Sequence, residues 1–498
     1  MFYPNLLNLR NVDYKIIDFN SFSSGLNTDV DESVMPIRYA KLTYNFDYKE
    51  GNLKPGIGIS VPTIRYSANN TALRKSFNFP AGYEVKGCWL FNAWHQDANL
   101  FFPLIVIYCS DDKMYYNYLY GSQTNMIEMQ GLVFTEKPKV ITYNLNGVDT
   151  LIAVSNADGM YTWTENDGVK KIDNAPKISS MCLHYERLFV TTKDNPRRIW
   201  FSDDLNPTNF NVSSQEGGFI DIIDDFGRSN KVISFNDYVY VFRDYNIARL
   251  TAFAEQEQFA IEQLYVGNGK IYSDTVALCG DKIMYLASDG LYQFNGSSSN
   301  KINLGINNFF KNVDNNFACA GYSDGCYYLA CKINFDDEKV GCENKDNYKN
   351  NALIKIDVST GELNILRGYD IKDICVINDI LGSEVFCIVN NGVKDVLGKI
   401  DMSGAFFDNA TSKVWKSPKV DLGYPKNDKL ICEAYINSKH DCVVEFVADN
   451  KTKKYLIKGS DRVTTLKPYI RGKKVAINFI SNIKDVCIES PQIKVGIL

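Results

Sequence analysis

The plainest pattern in the chain is a beat of short apolar runs broken by polar tight turns. Between Val232 and Phe253 it is explicit. VISF runs into a turn at Asn236-Asp237, YVYVF returns, Arg243-Asp244 turns, and IARLTAF returns again. Apolar residues alternating between such reversals predict strands in an antiparallel meander. No long stretch carries apolar residues at helical spacing; the best short candidate is 305–312.

The unit repeats along the chain. SDDKMYYNY, NADGMYTW, KDNPRRIWF, FRDYNIARL, ASDGLYQF, NALIKIDV and NNGVKDVLGKI each join a short polar turn to an apolar or aromatic strand. Successive copies lie about 40–50 residues apart, the length of a four-stranded blade, except across one longer gap. That gap holds NFDDEKVGCENKDNYKNN, which reads as a charged surface loop. Each copy is preceded by an inward strand or hairpin: WLFNAW, VITYNL, SMCLHYERLFVTT, VISFNDYVYVF, VALCGDKIMYLAS, CAGYSDGCYYLAC and DICVINDILGSEVFCIV. A blade buries its faces only against other blades, so the repeats should close into a ring. A mainly β fold with a β-propeller of about seven blades over 81–413 is therefore expected. The 31 Tyr and 29 Phe, with Asn and Asp crowding the turns, favour strands in the same way.

The flanks differ from the repeats. Residues 1–80 read as an extended N-terminal arm, with apolar residues too dispersed to close a core alone. Such an arm must lie on something: its own propeller, as a closing strand, or a neighbouring subunit. Residues 414–498 read as a C-terminal β-sandwich of regular amphipathic strands, among them KLICEAYINS, CVVEFVADN, KKVAINFIS and DVCIESPQIKV. From Lys416 onward sixteen Lys and Arg face nine Asp and Glu, so this part carries about +7 and the remainder about −12 of the net −5. The excess fits either a surface for nucleic acid or another acidic partner, or simply solvated strand faces.

Two stretches resemble the β-propeller structural proteins of tailed-phage tails, of the nozzle, tail tubular or stabilisation type. One runs from Pro196 through Trp200, Ser202, Asn206-Pro207 and Phe210, then an Asp- and Gly-rich segment, to YVYVFRDYNIARL. The other is SGLNTDVDESVMPIRYAKLTYNFDYKEGNLKPGIGI, with Ser24 to Asn27, Pro36, Asn45 and Gly51 to Gly56 in family-like order. The resemblance implies a virion protein assembled in the host bacterial cytoplasm as a ring, six copies being family-like, in the tail or neck. Its implied partners are further copies of itself, other neck or tail proteins such as a portal or adaptor, and transiently the passing genomic DNA. Asn27, Pro36, Asn45, Gly51, Gly56, Arg197 and Arg198 become candidate assembly residues. An arm used only for assembly could be removed through about Gly58 with the propeller left folded.

A search for catalytic chemistry is mostly negative. The thirteen Cys are scattered through apolar runs without a CxxC pair, as expected for free thiols, and the group Cys319, Cys326, Cys331 and Cys342 fits no zinc spacing. Neither a secretory signal nor an apolar run of membrane-spanning length is evident. Of the three histidines, His95, His184 and His440, none sits in a nucleophile or zinc-protease motif, and His184 reads as a packed strand residue. Asp221 with Asp224 and Asp225, and Asp336 with Asp337 and Glu338, could bind calcium or serve a glycosidase, but turn solvation explains them as well. SNADGMYTW is superficially like the Asp-box of sialidases, yet its spacing departs from that pattern, and adjacent Arg197 and Arg198 point to opposite faces of a strand. The expectation is a structural protein without enzyme activity, cofactor or metal. A glycan- or receptor-binding propeller, or a propeller glycosidase, is the alternative.

Overall fold

A computed structural model describes residues 12–498 apart from 19–21, 23, 49, 69–70, 96–99, 215, 254–255, 268, 335–347 and 380–381. Six four-stranded antiparallel sheets follow one another over 85–133, 139–172, 178–221, 229–266, 277–301 and 319–367. A seventh combines Ile371–Asp379, Gly382–Asn390 and Asp395–Asp401 with a fourth strand from the N-terminal segment, Gly58–Ser60. That strand lies antiparallel to the third, with Ile400 opposite Ile59, and a small hairpin at 405–410 extends the sheet. The structure is thus a seven-bladed β-propeller, here numbered blades 1 to 7 in this order.

Ring closure is visible in how the apolar residues divide. The second strand of each blade is an unbroken apolar run because it is buried on both faces. In blade 1, Leu104, Val106 and Tyr108 pack with Leu151, Ala153 and Trp163 of blade 2. The intervening Ile105, Ile107 and Cys109 pack with Phe386, Ile388 and Leu397 of blade 7. The same division continues around the ring, giving seven apolar layers between seven pairs of neighbours. The repeated turns also have a mechanical reason. They join the second and third strands, and their side chains cap amides of the connection arriving from the preceding blade. Asp158 accepts from the Thr135 N–H (2.9 Å), Asp244 from Arg228 (2.9 Å), Ser110 from Glu84 (2.9 Å) and Ser288 from Lys270 (3.0 Å). Between blades 6 and 7 the roles reverse, Asp370 of the connection accepting from Lys349 (3.0 Å) and Asn350 (3.1 Å). The helical candidate at 305–312 is a single 3-10 turn, Asn307–Phe310.

The C-terminal sandwich has two five-stranded sheets. One contains Lys429–Ser438, Ser460–Leu466, Ile470–Gly472 and Ile488–Ile497; the other contains Lys413–Lys416, Cys442–Ala448, Lys451–Ile457 and Val475–Ser481. Each takes one strand from the N-terminal segment. Asp13–Asp18 pairs with Ile488–Ile497, and Leu42–Tyr44 with Lys413–Lys416. Phe22 enters the core edge-on to Trp415, ring centroids 5.0 Å apart, and to Phe479 at 5.8 Å.

The region expected as an extended arm therefore lies on its own chain and is shared out. Residues 13–18 and 42–44 complete the sandwich, and 58–60 close the propeller. The strip between them is buried on both: Tyr44, Phe46 and Leu53 are at most 1 % exposed and belong to one core with blade 5, blade 6 and sandwich residues. The sandwich accordingly exceeds 414–498. An arm removable through Gly58 is not what the packing provides, because its dispersed apolar residues are each placed in a core that other segments complete.

Asn45 is the keystone of this strip. It is fully buried with φ +60°, a conformation Asn adopts more readily than most residues. Its side chain accepts from the Arg367 N–H of blade 6 (2.8 Å) and donates to the Ser412 carbonyl (2.7 Å) at the entry to the sandwich. Its own N–H donates to the Ile365 carbonyl (2.7 Å), and its carbonyl accepts from Gly56 (3.0 Å). A β-carbon at Gly56 would meet Asn364 Oδ1 at 2.8 Å and the Asn45 carbonyl at 3.0 Å, so only glycine fits there. Replacing Asn45 by Ala should cost about 2–3 kcal/mol, since it strands buried backbone groups and leaves a β-carbon in the left-handed region without compensation. Denaturant unfolding of N45A against wild type measures this.

Candidate functional site in the propeller hub

The first strands of the blades line the hub: Val85–His95, Lys139–Leu145, Ile178–His184, Ser229–Phe235, Ala277–Cys279, Cys319–Ser323 and Ile371–Asp379. They enclose a cavity of about 1050 Å³ to which all seven blades contribute. Trp89, Leu90, Val140 and Val376 give part of its lining an apolar character. Charged residues gather where the connections from preceding blades enter the inner strands.

Five of them form the inner set. Lys137 pairs with Asp373 across the gap between blades 2 and 7, and Lys139 pairs with Asp274 at 3.2 Å. Burial works against the Lys137 ammonium, but the Asp373 carboxylate outweighs it and holds the lysine above its ordinary range. Burial would likewise raise Asp274, yet the fields of Lys139, Lys231 and Lys137 keep it below the usual carboxylate value. Lys231 is different. Burial, reinforced by Lys139, pulls its ammonium below the ordinary lysine value, with Asp274 opposing. The other cations of the lining have carboxylate partners: Lys372 pairs with Asp395 (3.2 Å) and Asp370 (3.7 Å), Arg228 with Asp244 (3.2 Å) and Lys193 with Glu136 (3.8 Å).

The residues singled out by sequence lie elsewhere. The acidic trio on the rim of blades 3 and 4 is matched one to one by arginines. Arg198 holds Asp221 through two bonds of 2.7 Å, Arg197 reaches Asp225 at 3.1 Å, and Arg243 reaches Asp224 at 2.5 Å. The Arg198 hydrogen bonds hold the Asp221 carboxyl below its usual range, and the same guanidinium lies 3.5 Å over the Phe219 ring. Arg197 and Arg198 reach different carboxylates, but only Arg198 is in the strand Arg198–Phe201; Arg197 belongs to the turn before it, so the expected pair on opposite strand faces is not formed. Asp158, in the Asp-box-like turn, is spent on Ser155 and Thr135, whose hydrogen bonds hold it low against the upward push of burial. Asp289 receives the Tyr292 hydroxyl at 2.6 Å. His184 is buried on an inner strand, 2.8 Å from the Ser234 hydroxyl, and burial pulls its pKa down.

Near the N-terminus, Asn27 caps its own turn by accepting from Asp29 (3.0 Å) and Val30 (3.2 Å). Pro36 is exposed and its carbonyl accepts from Tyr39, while Gly51, at φ +81°, offers its carbonyl to Phe22. Asp336, Asp337, Glu338 and Cys342 lie outside the described residues. The twelve described cysteines are free, nine of them buried, and burial raises those of the zinc-like group that can be followed, Cys319 and Cys331. Thiol titration after denaturation without reductant should count thirteen; two or more missing thiols would contradict this.

Sequence reading missed the hub set. A signal exists: PKVITY, NKVISF and IKDICVI each place a charged residue just ahead of or inside the inner apolar run. Only superposing the repeats shows that these positions converge on one axis.

No protein-family model matches the chain, and no curated protein matches it in sequence. Among solved structures it is similar to BBS1N, crystallised in complex with ARL6DN, at 9% identity over 64% of this chain and 91% of that one, with a TM-score of 0.40. It is also similar to Raptor of Chaetomium thermophilum, at 9% identity over 65% of this chain, with a TM-score of 0.41; the match spans 28% of the Raptor chain. These likenesses concern the fold alone.

Proposed function

We propose that this chain is a virion structural protein of a tailed phage, forming a ring in the tail or neck and contributing to the DNA-conducting channel and to head–tail assembly. The observation that carries the reading is where the resemblance falls. Asn45 and Gly56 make the seam between propeller and sandwich, Asn27 and Gly51 shape the strip beside it, and Arg197 and Arg198 brace a blade rim against its own carboxylates. The residues that carry the resemblance thus tie propeller and sandwich together, as an assembly unit needs, rather than form a convergent set of reactive groups.

Rings need heterologous side-to-side contacts. With the N-terminal segment folded onto its own chain, these fall to other surfaces. The sandwich offers edge strands: Lys451–Ile457 and Ser460–Leu466 end their sheets with Leu456 and Val463 largely exposed, and Asp13–Asp18 does so with Ile16 exposed. An open edge is a ready template for another strand, and the lysines at 451, 453 and 454 restrict which partner can take it. The sandwich's excess of positive charge suits an acidic neighbour or the passing DNA. Quantitative mass spectrometry of purified virions should find the protein at a multiple of six copies per particle. Its absence from particles would remove the proposal.

A further inference from the structure

The hub cavity holds an uneven charge count. Of the five inner charges, three are lysines and two are aspartates, and both carboxylates are already engaged, Asp373 by Lys137 and Asp274 by Lys139. Lys231, on the inner strand of blade 4, lines the same cavity, and no carboxylate among the described residues pairs with it. The carboxylates beside the other cations of the lining are engaged elsewhere: Asp395 and Asp370 with Lys372, Asp244 with Arg228 and Glu136 with Lys193. Lys231 is half-buried, and an ammonium partly withdrawn from water without a carboxylate partner is one that an anion in the cavity would meet. The cavity, about 1050 Å³, is large enough for a small molecule, and its lining also includes the apolar Trp89, Leu90, Val140 and Val376.

We infer that the propeller hub is a binding site for a small organic monoanion. Its single carboxylate or singly charged phosphoryl group meets Lys231, and its apolar body lies against the apolar part of the lining. Lys137 and Lys139, each tied to an aspartate, frame the anion without adding net charge, so the site selects one negative charge rather than two. The site is internal to each propeller and independent of whether copies form a ring.

Calorimetric titration of the full-length protein with 2-naphthoate, its neutral amide 2-naphthamide, and acetate tests the charge and the apolar body separately. Naphthoate should bind one per chain and at least tenfold more tightly than either of the others. Lys231→Gln should erase the preference over the amide, and Lys231→Arg should keep it. Melting curves give a second readout. Lys231→Met, which removes an unpaired charge, should melt at or above the wild-type temperature without ligand, and naphthoate should raise the melting temperature of wild type but not of Lys231→Met. Equal binding of naphthoate and its amide, no binding at millimolar concentration, unchanged binding by Lys231→Gln, or a lowered melting temperature for Lys231→Met would each overturn the inference.

Discussion

Deleting residues 1–60 should abolish folding of the whole chain, leaving neither a propeller nor a sandwich that melts cooperatively. The deletion takes the closing strand of blade 7 and, with it, Ile57 and Ile59, both fully buried between blades 6 and 7. It also removes a strand from each sandwich sheet and strips Phe22, Tyr44, Phe46, Tyr48 and Leu53 from the shared core. At about 1.5–3 kcal/mol for each large apolar side chain, these seven amount to about 10–20 kcal/mol, and even after discounting for residual burial in the unfolded chain this is comparable to the whole 5–15 kcal/mol that holds a typical domain together. A shorter deletion is the control. Removing residues only through Asp18 takes an edge strand whose residues are all exposed or half-buried, and should leave a cooperative, somewhat lowered melt. Circular dichroism melts and limited proteolysis of the two proteins distinguish the outcomes. A 1–60 deletion that melts like wild type would show the segment to be an accessory arm after all.

That contrast marks where sequence reading ran out. All seven turn-and-strand copies lie in seven successive blades, because each blade's second strand is buried on both faces and must be an apolar run, while the turn after it must carry a short polar cap. Both demands are local and leave a periodic trace. The N-terminal segment leaves none. Its strands complete sheets that other segments begin, so residues such as Phe22, Tyr44 and Ile59 stand singly among polar neighbours, and nothing nearby in sequence shows that each enters a different core. The sandwich strands were legible for the same local reason as the blades, but its two borrowed strands, Asp13–Asp18 and Leu42–Tyr44, were not. The hub lysines fall between these cases. Each occupies an ordinary position at or just ahead of the start of a strand, and only the closure of the ring places Lys137, Lys139 and Lys231 around one axis with Asp274 and Asp373. Single residues drawn from separate repeats carry their meaning in the symmetry, which no one repeat displays.

Replacing Arg243 by Ala should cost about 3–5 kcal/mol, the largest effect expected of a single substitution in this chain. Arg243 ends a strand of blade 4, is 0% exposed, and donates both to Asp224 and to the Gly227 carbonyl (2.6 Å). Asp224 also receives the Phe226 N–H (3.0 Å) and the Gln263 amide, so the guanidinium organises the entire connection from blade 3 to blade 4. Without it a largely buried carboxylate keeps its charge and loses its principal counter-charge. Burial alone would raise Asp224, but the hydrogen bonds from Phe226, Arg243 and Gln263 hold it below the usual carboxylate value. A carboxylate lowered on folding contributes stability that is present above its unfolded pKa and is lost as pH falls through the folded one. Wild type should therefore lose part of this contribution below about pH 4, and R243A should already have lost most of it at pH 7, so the gap between the two proteins narrows on acidification. Denaturant unfolding at several pH values measures both effects. Asp224→Leu added to Arg243→Met should recover part of the loss, because an apolar pair of similar volume carries no stranded charge. If R243A instead unfolds within about 1 kcal/mol of wild type, the ion pair is ornamental, and the connection must owe its order to Asp244 and its bonds to Arg228 and Asn230.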